Sequence, residues 1–234
     1  MSVNDELKNT KGDYLHATIK STIAAIPVVG GVLSEMFGTV VTAPAEKRKE
    51  NILIMLDARL KEISEKVDSF SLDEVSRNEV FLSTVLQATQ IAIRTHQQDK
   101  YAALINAVTN CAIKTNIDEN MQQMFLSFID AFNEWHLRVL MFLDDPKRNL
   151  EMAGHQIDFY MGGVGQVLLT YYPVLGEDND FTKQIVNDLH LRGLLNSDAS
   201  VLNTMMTGSG MVASRTSPLG KKFLEFINLP LQLK

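Results

Sequence analysis

Arg48 to Phe70 reads RKENILIMLDARLKEISEKVDSF, and its spacing decides the fold class. Ile52, Met55, Leu56, Leu60, Ile63 and Val67 recur at three- and four-residue steps with charges between them, the pattern of a helix with one buried face. Pro44 is expected just before or inside its first turn, with Glu46 near the positive end of the helix dipole. The same periodicity continues downstream. Ser71-Leu72-Asp73-Glu74 is a capping-box match that should open one helix running through VFLSTVLQATQIAIRTH. Another helix is expected from about Asp99 to Lys114. NIDENMQQMFLSFIDAFNEWHLRVLMFLDDP then reads as a single long helix, with Met121, Phe125, Phe128, Phe132, Trp135 and Val139 on one stripe and Asp145-Pro146 as its stop.

These elements predict a mainly α protein, an antiparallel helical bundle over 1–172 with a small winged-helix-like α+β unit over 173–234. The tail carries the second expectation. A helix from about Phe181 to Leu191 is followed by two strand-capable runs, VLNTMM and MVASRTS, flanking Thr207-Gly208-Ser209-Gly210, a hairpin signal. Pro218 then opens a last helix with Phe223, Leu224 and Ile227 apolar. Lys183, Arg192, Arg215 and Lys221 are the candidate partner contacts of this unit. They are few for a nucleic-acid reader in a chain of net charge −6, so a protein partner is the stronger expectation, with nucleic acid still open.

Upstream of the deciding helix lies the segment Ser21 to Glu50, STIAAIPVVGGVLSEMFGTVVTAPAEKRKE. Between Ile23 and Val41 its only charge is Glu35. Pro27 and Gly30-Gly31 should break it into two short helices, about Ile19 to Ile26 and Val32 to Val41, an apolar hairpin over about 19–43. Two readings stay open: the hairpin is core, or it engages a membrane. The residues that would carry the second are Pro27, Val29, Gly30, Gly31, Val32, Glu35 and Gly38, with Lys47, Arg48 and Lys49 at lipid headgroups. The interrupting residues argue against a simple spanning helix.

Catalytic constellations are hard to find. His16, His96, His136, His155 and His190 are scattered, and no metal or cofactor is expected. Asp130 and Glu134 are expected to share a solvated helix face, with His136 pointing elsewhere. The run MGGVGQVLL, Met161 to Leu169, reads as a helix bend or close helix contact and not as a phosphate cradle. Cys111 sits in an apolar helical pattern and reads as a buried thiol. A lone cysteine and an opening without signal-peptide features point to a reduced, cytoplasmic location, with inner-membrane association if the hairpin acts in lipid. Arg148-Asn149 and His155 match the arginine, polar residue and histidine pattern of the helical HEPN ribonucleases, where such residues assist attack by a ribose hydroxyl. Pro146 and Gly154 make that segment look like a connection.

IPVVGGVLSEMFGTVV followed by APAEKRKENILIMLDARLKEI, together with the ending DLHLRGLL…SRTSPLGKKFLEFI, resembles bacterial proteins of the abortive-infection alpha (Abi-alpha) type. RTHQQDKYAALINAV and WHLRVLMFLDDP extend the likeness through the middle. The resemblance implies a helical protein of antiphage defence that arrests or kills the infected cell, and it carries no catalytic residue across. The leading expectation is a non-enzymatic effector or sensor. Its partners would be membrane lipid, an unidentified protein trigger and a second copy of the chain. A binding module acting through the C-terminal unit comes second, and a HEPN-like ribonuclease third.

Overall fold

The computed structural model describes residues 35–68, 70–113 and 117–229, with side chains from Pro44 onward. The chain divides into two compact units, one described over 35–131 and 226–229 and the other over Phe132–Glu225. The division expected at 172/173 falls inside the second unit.

The first unit is built of helices, with no strand among its described residues. α1 (Glu35–Lys66) packs on α3 (Glu79–Arg94) and α4 (Gln98–Ala112), and α5 (Glu119–Ala131) packs against α3 and α4; α2 (Leu72–Ser76) is a single short turn. α1 buries Ile52, Leu56, Leu60 and Ile63, as its periodicity predicts, and Leu53 besides, but Met55 is 47% exposed and Val67, just past the helix end, is half-buried. α4 is central and buried nearly all round, down to Lys100, whose Nζ donates to the Asp130 carbonyl at 2.9 Å. Burial holds that ammonium's pKa below the usual lysine range, with the nearby Asp130 charge acting in the opposite sense. The end of α11 (Pro218–Ile227) closes the unit, with Phe226 against Phe125 at 5.6 Å between ring centroids.

Two expected boundaries move. α1 does not start near Pro44; it is continuous from Glu35, with Pro44 inside. Proline removes one backbone donor and bends a helix. Residues 44–51 have no fully buried side chain, so a bend there displaces no core neighbour. The helix expected from Ser71 through the 80s is split. Ser71 caps α2, but Asn78 adopts an extended backbone and its Oδ1 accepts from the Phe81 amide at 3.1 Å, opening α3 afresh.

The second unit contains α6 (Glu134–Asp144), α7 (Pro146–Met152), α8 (Val164–Tyr171), α9 (Asn179–Leu191), the short α10 (Gly208–Met211) and the start of α11, with 3-10 turns at Pro173–Gly176 and Ala199–Leu202. Its only sheet among the described residues is a two-residue pair, β1 (Met161–Gly162) antiparallel to β2 (Met206–Thr207). The long helix expected across residues 116–146 is broken before α6. Asn133 accepts from the Trp135 and His136 amides while His136 Nδ1 accepts from the Asn133 amide, a capping box that opens α6. Asp130 and Glu134 therefore do not share a helix face, and His136 is buried, stacked on Phe132 with its Nε2 3.3 Å from Asp188. Asp145-Pro146 ends α6, as expected, and caps α7.

The hairpin expected in the tail does not form. Val201 lies in the 3-10 turn, Met206 pairs with β1, and Gly208–Met211 is helical. The pairing between α9 and α11 is instead a single antiparallel bridge, Leu195 to Thr216. MGGVGQVLL holds a close contact, as read: a Cβ on Gly163 would sit 2.1 Å from the Leu202 carbonyl oxygen.

Candidate functional site

A recess in the first unit lies where α1 passes the turn joining α3 to α4. It is an open groove of about 430 Å³ whose walls include Lys47, Arg48, Ile54, Met55, His96 and Tyr101. The geometry begins with the α1 stripe 44, 47/48, 51, 54/55, which recurs every three or four residues and therefore faces one way. Two donors reach the C-terminus of α3, one from this stripe and one from α4. Arg48 Nη1 donates to the Ile93 carbonyl at 3.0 Å, and Tyr101 Oη donates to the Ala92 carbonyl at 3.1 Å. A guanidinium at the last turn of α3 meets the negative end of its dipole, so the attachment is both a hydrogen bond and a charge–dipole contact.

The three expected headgroup cations thus have different situations. Arg48 is half-buried and holds the groove together. Lys49 reaches Glu46 at 3.6 Å. Lys47 is exposed on the groove wall, with no carboxylate within ion-pair distance among the described residues. The groove brings it near His96, which the linear pattern left scattered. Apolar surface adjoins them: Ile54 is 54% exposed and Met55 47%, although both lie on the helix that supplies the core. One signal for this was in the sequence. Ile52 to Met55 with Leu56 are five successive apolar residues, more than one helix face can bury.

Pro27, Val29, Gly30, Gly31 and Val32 lie outside the described residues, and Glu35 and Gly38 are described only as backbone of α1. In the second unit each of the expected partner contacts has a neighbour within the unit. Lys183 pairs with Asp180 at 3.2 Å and Lys221 with Asp144 at 3.3 Å. The Arg192 guanidinium lies over the Phe132 ring at 5.2 Å. Arg215 is half-buried and donates to the Gly210 carbonyl and the Met206 sulfur.

The ribonuclease-like residues are separated by a helix stop. Asn149 Nδ2 donates to the carbonyls of Asp145, Met141 and Phe142, occupying the end of α6. α7 ends at Met152, Gly154 takes a left-handed φ of 76°, and the His155 amide returns to the Leu150 carbonyl at 3.0 Å. Arg148 is on the helix and His155 lies beyond its end, both exposed. Among the described residues no three His, Cys, Asp or Glu side chains gather as metal ligands, and no helix is long and apolar enough to cross a membrane.

Cys111 is half-buried on α4, its thiol 3.7 Å from Thr84 Oγ1. Burial pushes its pKa above the usual thiol range, offset by the Thr84 hydrogen bond and reinforced by Glu119. A raised folded-state pKa means that the stability contributed by the neutral thiol is complete below the unfolded pKa and is lost as pH rises through the folded one. Iodoacetamide at pH 8 should therefore alkylate Cys111 at least tenfold more slowly in the folded protein than in urea. Stability should fall less between pH 8 and pH 10 in Cys111→Ala than in the parent. Equal alkylation rates in the two states would refute the assignment.

No family model, curated protein or solved structure matches this chain.

Proposed function

We propose that the protein is a non-enzymatic effector of the abortive-infection type that acts at the inner membrane through its apolar segment, about residues 19–43, with the N-terminal part of α1 as the interfacial shoulder. One observation carries this reading. α1 leaves the core at Ile52, has no fully buried side chain over 44–51, and runs on without a break toward the apolar residues at Val40 and Val41. A helix that carries an apolar run, then a cluster of cations, then a buried anchor has the order of an element held by a domain and offered to an interface. The cations follow the apolar run directly, where anionic headgroups would meet them.

The test is dye release from vesicles containing anionic lipid, using the purified full chain. Aspartate at lipid depth costs about 3 kcal/mol on insertion scales, so Val32→Asp should reduce leakage on the order of a hundredfold while keeping the parent's circular dichroism and melting. Arg148→Ala should leak like the parent. Leakage retained in a folded Val32→Asp protein would defeat the reading.

A second reading, a protein-binding module in the C-terminal unit, is favoured by one feature. Tyr160, Met161 and Met205 are 86%, 54% and 67% exposed around the β1–β2 pair. The winged-helix-like description belongs to this reading, resting on the order α9, the Leu195–Thr216 bridge and α11. It gains ground if vesicles neither bind nor leak.

A further inference from the structure

The groove beside α1 has a charge character opposite to that of the chain as a whole. The chain is acidic overall, with 28 Asp and Glu against 22 Lys and Arg. Yet the groove wall carries Lys47, Arg48 and His96 and, among the described residues, no carboxylate. Its volume of about 430 Å³ lies within the range of about 300–1,000 Å³ usual for small-ligand sites. The cations line the part of the stripe nearest Pro44, and Ile54 and Met55 lie two helical turns on, a separation of roughly 11 Å along the axis. Both apolar side chains are about half exposed on a helix whose neighbouring residues, Leu53 and Leu56, are buried. A stripe with cations and apolar side chains on one face suits the plane of a lipid surface, where the headgroups are anionic and the acyl boundary lies just beneath.

Resting on the membrane reading above, we propose that this groove receives the phosphate of an anionic lipid headgroup still in its bilayer, with α1 lying along the interface over 44–55. Lys47 and His96 contact the phosphate directly. Arg48 holds α1 to the end of α3, which keeps the groove open, and so acts as a positioning residue. Ile54 and Met55 reach past the headgroups toward the acyl boundary, while Ser127, exposed on α5, which packs on α3 and α4, stays in water. The charge order sets the orientation: a helix entering perpendicular at Pro44 would leave Ile54 and Met55 out in solvent.

The test places an environment-sensitive nitrobenzoxadiazole dye on the full chain at Ile54→Cys or Ser127→Cys, each with Cys111→Ala. The chains are titrated with vesicles of phosphatidylcholine alone or with phosphatidylglycerol. A blue shift at 54 and none at 127, on the anionic vesicles only, is the expected result. Lys47→Glu should weaken the titration on the order of tenfold, with unchanged melting to exclude a folding effect. The shift at 54 should persist in the Val32→Asp protein, so that loss of the dock and loss of the apolar segment's activity are read separately. Four outcomes would overturn the proposal: no shift at 54 on anionic vesicles, the same shift on neutral ones, its disappearance in folded Val32→Asp, or full displacement by millimolar glycerol phosphate. The last would mark a site for a soluble phosphate ester.

Discussion

Gly163→Ala is expected to lower the melting temperature by about 6–12 °C, the consequence of a loss of about 3 kcal/mol in a chain of this length. Gly163 is the N-cap of α8, and its φ of −96° is open to any residue, so backbone freedom is not the issue. Space is. An added Cβ would lie 2.1 Å from the Leu202 carbonyl oxygen and 2.8 Å from the Leu202 carbonyl carbon. These are backbone atoms of the 3-10 turn Ala199–Leu202, whose Val201 and Leu202 side chains are buried, so no rotamer change relieves the overlap. Overpacking of this kind costs about 1–3 kcal/mol and more where backbone must move. Gly176→Ala is the control, since its added Cβ would meet nothing closer than a Leu169 methyl at 3.6 Å. Calorimetry on the two variants checks the claim, and equal melting temperatures would remove it.

Asn110→Leu should be nearly as damaging, at about 3 kcal/mol, although it swaps a buried polar side chain for a hydrophobic one of similar size. The Asn110 amide donates to the carbonyls of Phe226 at 2.8 Å and Asn228 at 2.9 Å, at the end of α11. Asn106 donates to the Ile227 carbonyl between them at 2.9 Å. The last turn of a helix leaves its carbonyls without partners, and here two asparagines from α4 supply the donors. Removing Asn110 strands two acceptors, at about 1–3 kcal/mol for each that is left buried. Asn110→Asp should be at least as costly, because a carboxylate would face the same carbonyl oxygens. Asn106→Ala, at a half-buried position, should cost about 1 kcal/mol. Urea denaturation of the three variants gives the ranking, and a neutral Asn110→Leu would refute the capping role.

The misreadings have a common origin. Asn78 and Asn133 sit within runs of continuous helical periodicity, and in each case the side-chain oxygen caps a new helix instead of letting the old one pass. The tail reads as strands because Val201 and Met206 are compatible with extended backbone. Asp198 Oδ1 accepting from the Ser200 amide at 2.8 Å, and Thr207 Oγ1 accepting from the Gly210 amide at 3.3 Å, start a 3-10 turn and a helix there instead. Gly208 also lies so close to the Phe159 carbonyl that a side chain is excluded, which fixes that turn from a distant segment.

The sequence by itself determined the helical class, the buried face of α1 from Ile52 to Ile63 and the stop at Asp145-Pro146, because each depends on residues within a turn or two of one another. It also held a surplus of apolar residues at 52–56 without saying which of them would stay outside. Only the tertiary structure decided that Ile54 and Met55 are exposed, that Arg48 is spent on Ile93, and that His96 and Lys47 line one groove. Those outcomes depend on which carbonyls and side chains meet after α1, α3 and α4 pack, and contacts across some fifty residues of chain have no signature in local spacing.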